Sequence, residues 1–159
     1  MSITQDIPSG DTRRDSPDAA LDGWLCFAVY GAEHAFTQFY RPILGQLGLT
    51  YPQCLVMMLL WAEDDRSIRD IGGALHLKSS TLTPLIKRLE EAGLVTRLRD
   101  RHDERVVRVQ LTEAGHELRR ELPDIPAQVR SALSMNEAEV AETIETLLRI
   151  QSRLRAASP

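Results

Sequence analysis

The residues best suited to covalent chemistry in this chain are two cysteines, Cys26 and Cys54. Two cysteines do not make a disulfide framework. In a reducing compartment such residues serve as packing groups, ligands or reactive thiols. The four histidines (His34, His76, His102 and His116) are scattered, and with the cysteines they show no metal-ligand spacing, so neither a metal nor another cofactor is expected. No Gly-rich phosphate loop and no Ser/His/Asp pattern points to an enzyme. A second chemistry lies in the charges. From Arg66 to Gln110 there are ten Lys/Arg and six Asp/Glu, a net of +4, which leaves −8 on the rest of a chain whose total is −4. One basic stretch inside an acidic protein is the asymmetry expected when only that stretch meets phosphates.

At 159 residues, 43% apolar and 26% charged, the chain fits one soluble globular unit. Met1 to Asp18 is rich in Ser, Pro, Asp and Gly and reads as a disordered tail. It lacks the apolar core of a secretory signal, and no run reaches the length of a membrane span, so a cytoplasmic location is expected. Asp22 opens a long helical pattern with Leu25, Ala28, Ala32, Phe36, Phe39 and Ile43 on one stripe; Pro42 is placed to bend or end it, and Gly45 and Gly48 break it. Thr50 caps a second helix that runs to about Glu63, with Pro52 in its first turn. Ser67 caps a third, with Asp70 as its capping-box partner, ending near Leu75. Ser79 or Ser80 caps a fourth, Thr81 to Ala92, closed by Gly93. The period then changes to two over residues 94–99 and 107–111, which predicts a β-hairpin around a charged turn. Thr112 caps a helix to about Glu121, Pro123 and Pro126 interrupt it, and Ser134 with Glu137 predicts a capping box for a last helix carrying Val140, Ile144, Leu147, Leu148 and Leu154.

Two short helices, a tight turn and a basic hairpin predict a winged helix-turn-helix in an α+β, mostly α, fold. Burying Leu82, Leu85, Ile86 and Leu89 leaves Ser79, Ser80, Thr81, Thr83, Lys87 and Arg88 free to face a major groove. Arg99, Arg101 and Arg105, beside the hairpin tip, suit a minor groove or the DNA backbone.

The segments Ser67-Ile-Arg-Asp-Ile-Gly, Leu82-Thr-Pro-Leu-Ile-Lys-Arg-Leu-Glu-Glu-Ala-Gly-Leu-Val, Arg99-Asp-Arg-His-Asp-Glu-Arg and Val109-Gln-Leu-Thr-Glu-Ala-Gly together resemble the MarR family of bacterial regulators. The resemblance covers most of the chain after about residue 20. It implies a homodimer that binds double-stranded operator DNA, with a single unit over 19–159, a DNA-binding lobe over 66–112, and dimerisation helices over 19–48 and 113–157. It also implies that Arg105 is the wing-tip residue and that Asp103 braces it.

Leu25-Cys-Phe-Ala-Val-Tyr, Phe39-Tyr-Arg-Pro and Leu49-Thr-Tyr-Pro-Gln further resemble the OhrR-type organic hydroperoxide sensors of that family. This implies that Cys26 is the redox sensor and that Tyr40 and Tyr51 hydrogen-bond to it. Tyr40 lies fourteen residues after Cys26, about 21 Å along one helix, so the two can meet only across a dimer. Phe27, Phe36 and Phe39 would give an apolar approach suited to an organic peroxide. Cys54, three residues after Tyr51 and on the same helix face, is a possible resolving thiol or simply a buried one. Two rival functions stay open: release by a small phenolic or carboxylic ligand in the dimer cleft, and a thiol peroxidase using Cys26.

Overall fold

A computed structural model describes residue 21 and residues 23–157. The tail assigned to residues 1–18, and Asp22 at the expected start of the first helix, lie outside the described residues. The elements, in order, are α1 (Leu25–Gly45), α2 (Tyr51–Ala62), β1 (Arg66–Ser67), α3 (Ile68–Leu75), α4 (Ser79–Glu91), β2 (Val95–Arg99), β3 (Val107–Leu111), α5 (Glu113–Glu121), α6 (Ile125–Leu133) and α7 (Glu137–Ala157). The fold is mostly helical with one small antiparallel sheet, ordered β1-β3-β2, and α3, α4 and the β2–β3 hairpin form a winged helix-turn-helix.

Pro42 lies inside α1 rather than ending it. Its ring removes the N–H that would bond the Gln38 carbonyl, but that turn is exposed, and the helix continues to Gly45. Gly48, at φ +68°, turns the chain into α2 through a left-handed conformation that glycine takes without steric cost. The Gln53 side chain accepts the Thr50 N–H at 2.8 Å at the start of α2. The Ser67 hydroxyl accepts the Asp70 N–H at 3.0 Å and so caps α3 where expected, but the Asp70 carboxylate accepts the Ser67 hydroxyl at 2.7 Å rather than the Ser67 backbone N–H, so the reciprocal box is not closed.

Three local expectations are corrected. The helix placed at Thr81 begins at Ser79, with Lys78 at its N-cap, so neither serine caps it. Ser134 does not open the last helix; it ends α6 in a left-handed conformation, and the reciprocal cap is formed two residues on by Asn136 and Glu139. Pro126 starts α6 rather than interrupting a helix, because Asp124 caps that turn by accepting the Ala127 N–H at 3.0 Å. The two-residue strand β1 went unread. It pairs Arg66 with Val109 and Ser67 with Arg108.

The core is built around α2. Cys54, Val56, Met57, Leu60 and Trp61 are buried there against Leu44 of α1, Ile71 of α3, Leu82, Ile86 and Leu89 of α4, and Val95 and Val109 of the hairpin. The Trp61 indole N–H donates to the Gly115 carbonyl at 2.8 Å and docks α5 on α2. By contrast, the N-terminal half of α1 and the whole of α7 bury nothing within the chain, although both carry large apolar side chains.

Candidate functional site

The helix-turn-helix presents Ser79, Ser80, Thr81, Thr83, Lys87 and Arg88 on the exposed side of α4, while the opposite side enters the core. Lys87 is not a free cation: its ammonium lies 3.6 Å from Glu91 one turn on. Arg88, Arg99, Arg101 and Arg105 are exposed and have no ion-pair partner among the described residues. Lys78, at the α4 N-cap, is a further exposed cation that the sequence reading left out.

The wing turn is organised by carboxylates. Asp100 accepts the N–H groups of His102 at 2.8 Å and Asp103 at 3.2 Å, and these bonds hold its carboxyl below the usual carboxylate range. Asp103 accepts the Arg105 backbone N–H at 3.0 Å. It therefore shapes the turn around Arg105 through the main chain, which differs from a brace on the guanidinium. Glu90 on α4 grips Arg97 of β2 through its backbone N–H at 3.1 Å and its guanidinium at 2.8 Å and 2.6 Å. Two guanidinium nitrogens converge on one Glu90 oxygen while the other accepts the backbone N–H, and this charge-assisted grip ties the wing to the recognition helix. Nothing in the local sequence distinguishes Arg97 from its exposed neighbours except its place on the inward-alternating side of β2.

The thiol site divides into two parts. Tyr40 of α1 and Tyr51, the first residue of α2, stack with ring centroids 4.5 Å apart and planes 11° apart. Phe36 and Phe39 pack on Tyr40, at 6.1 Å and 5.7 Å between centroids. Cys54 is buried beside this pair, 1% exposed. Burial raises its thiol above the ordinary range, and burial first, then the neighbouring acidic groups, raises both phenols. All three groups are therefore protonated near neutral pH, and the phenols are hydrogen-bond donors. Neither phenol has a hydrogen-bond partner among the described residues. No fully buried polar side-chain atom is left unpartnered there, so both hydroxyls touch the surface.

Cys26 is not brought to them. It is the second residue of α1, exposed, and separated from Tyr40 by fourteen residues of the same helix. Around it Trp24, Leu25, Phe27 and Tyr30 are exposed, and Ile144, Leu147, Leu148 and Leu154 are exposed along α7. An apolar groove of about 300 Å³ between α1 and α6, lined by Phe36, Phe39, Val129, Ala132 and Leu133 among others, adjoins the tyrosine stack through the two phenylalanines. Among the described residues no cluster of His, Cys, Asp and Glu could hold a metal ion, and no helix is long and apolar enough to cross a membrane.

A recognition helix, a carboxylate-braced basic wing and a docking scaffold of helices define a winged-helix regulator. The family description "Transcriptional regulator SarA/Rot" matches residues 38–122. The chain is 45% identical over 145 residues to the HTH-type transcriptional regulator TtmR of Methylorubrum extorquens (strain PA1), covering 91% of this chain and 74% of that one. It is 42% identical over 109 residues to the organic hydroperoxide resistance transcriptional regulator of Bacillus subtilis (strain 168), covering 69% and 74%. Among solved structures, reduced AbfR bound to DNA superposes with a TM-score of 0.70 at 34% identity, over 88% of this chain and 96% of that one. The chain belongs to the MarR family of winged-helix transcriptional regulators.

Proposed function

We propose that this regulator is a homodimeric, cytoplasmic repressor released from its operator when Cys26 is oxidised by an organic hydroperoxide. The observation that carries this reading is the stacked pair of Tyr40 on α1 and Tyr51 on α2: two protonated phenols, unpartnered among the described residues, whose surface hydroxyls Cys26 of the same α1 cannot reach. A second copy running antiparallel along α1 would bring its Cys26 to those donors. The same pairing would cover the apolar side chains left exposed on α1 and α7, which favours residues 19–48 and 113–157 as the dimerisation helices. Residues 66–112 would then read DNA, with α4 in the major groove and Arg101 and Arg105 at the wings, on half-sites about one helical turn apart.

The thiolate attacks one peroxide oxygen and the O–O bond breaks. The alkoxide leaves and takes a proton as the alcohol, and Cys26 becomes a sulfenic acid, oxidised by two electrons as the peroxide is reduced. The new oxygen occupies the place of the phenol bonds, so the stack shifts and α2, which begins at Tyr51, moves with it. The groove beside Tyr40 suits a hydrocarbon tail, which favours an organic peroxide over hydrogen peroxide. Cys54 enters after this step. Buried and protonated in the reduced fold, it becomes reachable when the phenols separate, and its thiol then forms a disulfide with the partner's Cys26 as water leaves.

Release by a phenolic or carboxylic ligand fits the groove less well, because its lining is apolar and offers no charged group to hold an acid. A thiol peroxidase would leave the exposed arginines of the wing without a role. The test is a gel shift of the native protein and Cys26→Ser on a duplex enriched from a random pool by the native protein, with and without cumene hydroperoxide. Release of the native protein alone supports the reading. Release of both, or of neither, ends it.

A further inference from the structure

The wing tip has no apolar anchor. Arg101 to Arg105 are all exposed, so hydrophobic packing does not set the position of that turn. A chain of polar contacts does, and Arg108 of β3 is its centre. Its Nε donates to the Asp65 carboxylate at 2.8 Å, and one terminal nitrogen donates to the Asp65 carbonyl. The other terminal nitrogen lies 3.5 Å from the second carboxylate oxygen of Asp100.

Both ends of this chain are themselves fixed. Asp65 adopts a left-handed conformation, φ +56°, in the corner after α2, which turns its carboxylate and its carbonyl toward one guanidinium. Its neighbour Asp64 accepts the Leu111 N–H at 2.9 Å and so holds the far end of β3 to the same corner. At the other end Asp100 accepts the N–H groups of His102 and Asp103 and donates its own N–H to the Val106 carbonyl at 2.9 Å. Asp103 then accepts the Arg105 N–H. The contacts run without a gap from the C-terminal corner of α2 to the backbone of Arg105.

We propose that Arg108 is a positioning residue for DNA binding: it touches no DNA itself, and its fork between Asp65 and Asp100 sets the direction in which the wing arginines point. This rests on the reading that Arg105 contacts DNA. A lysine, with one compact charge in place of a planar fork, cannot hold both carboxylates and the carbonyl at once.

The experiment is a double-mutant cycle by fluorescence anisotropy on the enriched duplex, with Arg105→Ala, Arg108→Gln and the double variant. Arg105→Ala alone weakens binding about tenfold. Arg108→Gln alone weakens it by a similar factor or more, and Arg108→Lys does not restore it. In the Arg108→Gln background Arg105→Ala costs less than about twofold, because a misdirected side chain is not missed when removed. The salt slope of Arg108→Gln also becomes shallower by about two per dimer, as lost wing contacts release fewer counterions. A destabilised but correctly aimed wing would not show that change. Asp65→Asn, which keeps a residue tolerant of the left-handed conformation, gives the same pattern if Arg108→Gln folds poorly. Full additivity of the two losses, or native affinity for Arg108→Gln, overturns the positioning role while leaving the wing contact standing. A silent Arg105→Ala in the native background overturns both.

Discussion

Salt dependence gives the most direct measure of how many cations the DNA face commits. Arg88, Arg99, Arg101 and Arg105 are exposed and unpaired among the described residues, whereas Lys87 already has Glu91 at 3.6 Å and Arg97 is held by Glu90. Counting the four free arginines of each protomer, a dimer neutralises about eight phosphates, and the slope of log K against log salt is then near −7. Raising monovalent salt from about 50 to about 200 mM weakens binding roughly 10⁴-fold, close to 5.5 kcal/mol. The assay is fluorescence anisotropy on the enriched duplex across that range, with reductant present to keep Cys26 reduced. Arg88→Ala makes the slope shallower by about two per dimer, and Lys87→Ala by clearly less, because Glu91 already neutralises that ammonium and loses its own partner when lysine is removed. A native slope shallower than about −3 would refute the assignment of these arginines to phosphate. Equal slopes for the two single variants would refute the distinction drawn between free and paired cations.

Four further outcomes follow from the geometry. Tyr51→Phe keeps the ring stack on Tyr40 and so keeps reduced-state affinity within about twofold, but loses a charge-assisted donor, and release by stoichiometric cumene hydroperoxide slows roughly tenfold in a stopped-flow anisotropy trace; native release kinetics would remove the phenol from the mechanism. After the same oxidation, the native protein forms a cross-linked dimer on a non-reducing gel and Cys54→Ala does not, while early release is alike in both; cross-linking that survives Cys54→Ala contradicts the resolving role. Gly115→Ala drives a methyl into the Leu94 carbonyl oxygen, so α5 must leave its seat on Trp61, costing about 3 kcal/mol and lowering the thermal midpoint by roughly 6–12 °C; a midpoint within about 2 °C of native would show that the seat gives easily. Asp65 is held below its ordinary value of 3.8 by the Arg108 hydrogen bond first, then by Gln110. Its contribution to stability is therefore complete above that value and lost as pH falls through the lower folded one. Thermal midpoints measured downward from about pH 5 should fall less steeply for Asp65→Asn than for the native protein.

The parts of the fold that were legible in the sequence are those decided within one helical turn or one strand. Ser67 with Asp70, Thr112 with the Gly115 N–H, Gly93 after α4 and the alternation of β2 and β3 are each fixed by residues at most a few positions apart. The misreadings have equally local causes. Ser79 and Ser80 are good capping residues, yet burying Leu82, Ile86 and Leu89 fixes the phase of α4, and packing outweighed the cap. Ser134 and Asn136 compete as caps two residues apart, and the left-handed end of α6 decides for Asn136. β1 is too short to show a period, and exists because β3 offers it a free edge.

What no spacing rule could show is the set of contacts between distant segments. Asp65 and Arg108 are 43 residues apart, and Trp61 and Gly115 are 54 apart. Each pair consists of residue types that are ordinary on their own. The tyrosines differ, because their separation carries information. Tyr40 and Tyr51 stack only because α1 ends at Gly45 and the chain reverses at Gly48, while Cys26 stands on the same rigid helix as Tyr40. A straight helix cannot fold back on itself, so a Cys26 thiol that meets these phenols has to come from another protomer. The apolar side chains exposed at the Cys26 end of α1 and along α7 make a second copy the most economical source. On that view the sensor is a property of the pair: each Cys26 is read by Tyr40 on the other protomer's α1 and Tyr51 at the start of its α2, and that α2 ends in the Asp65 corner from which the wing is held.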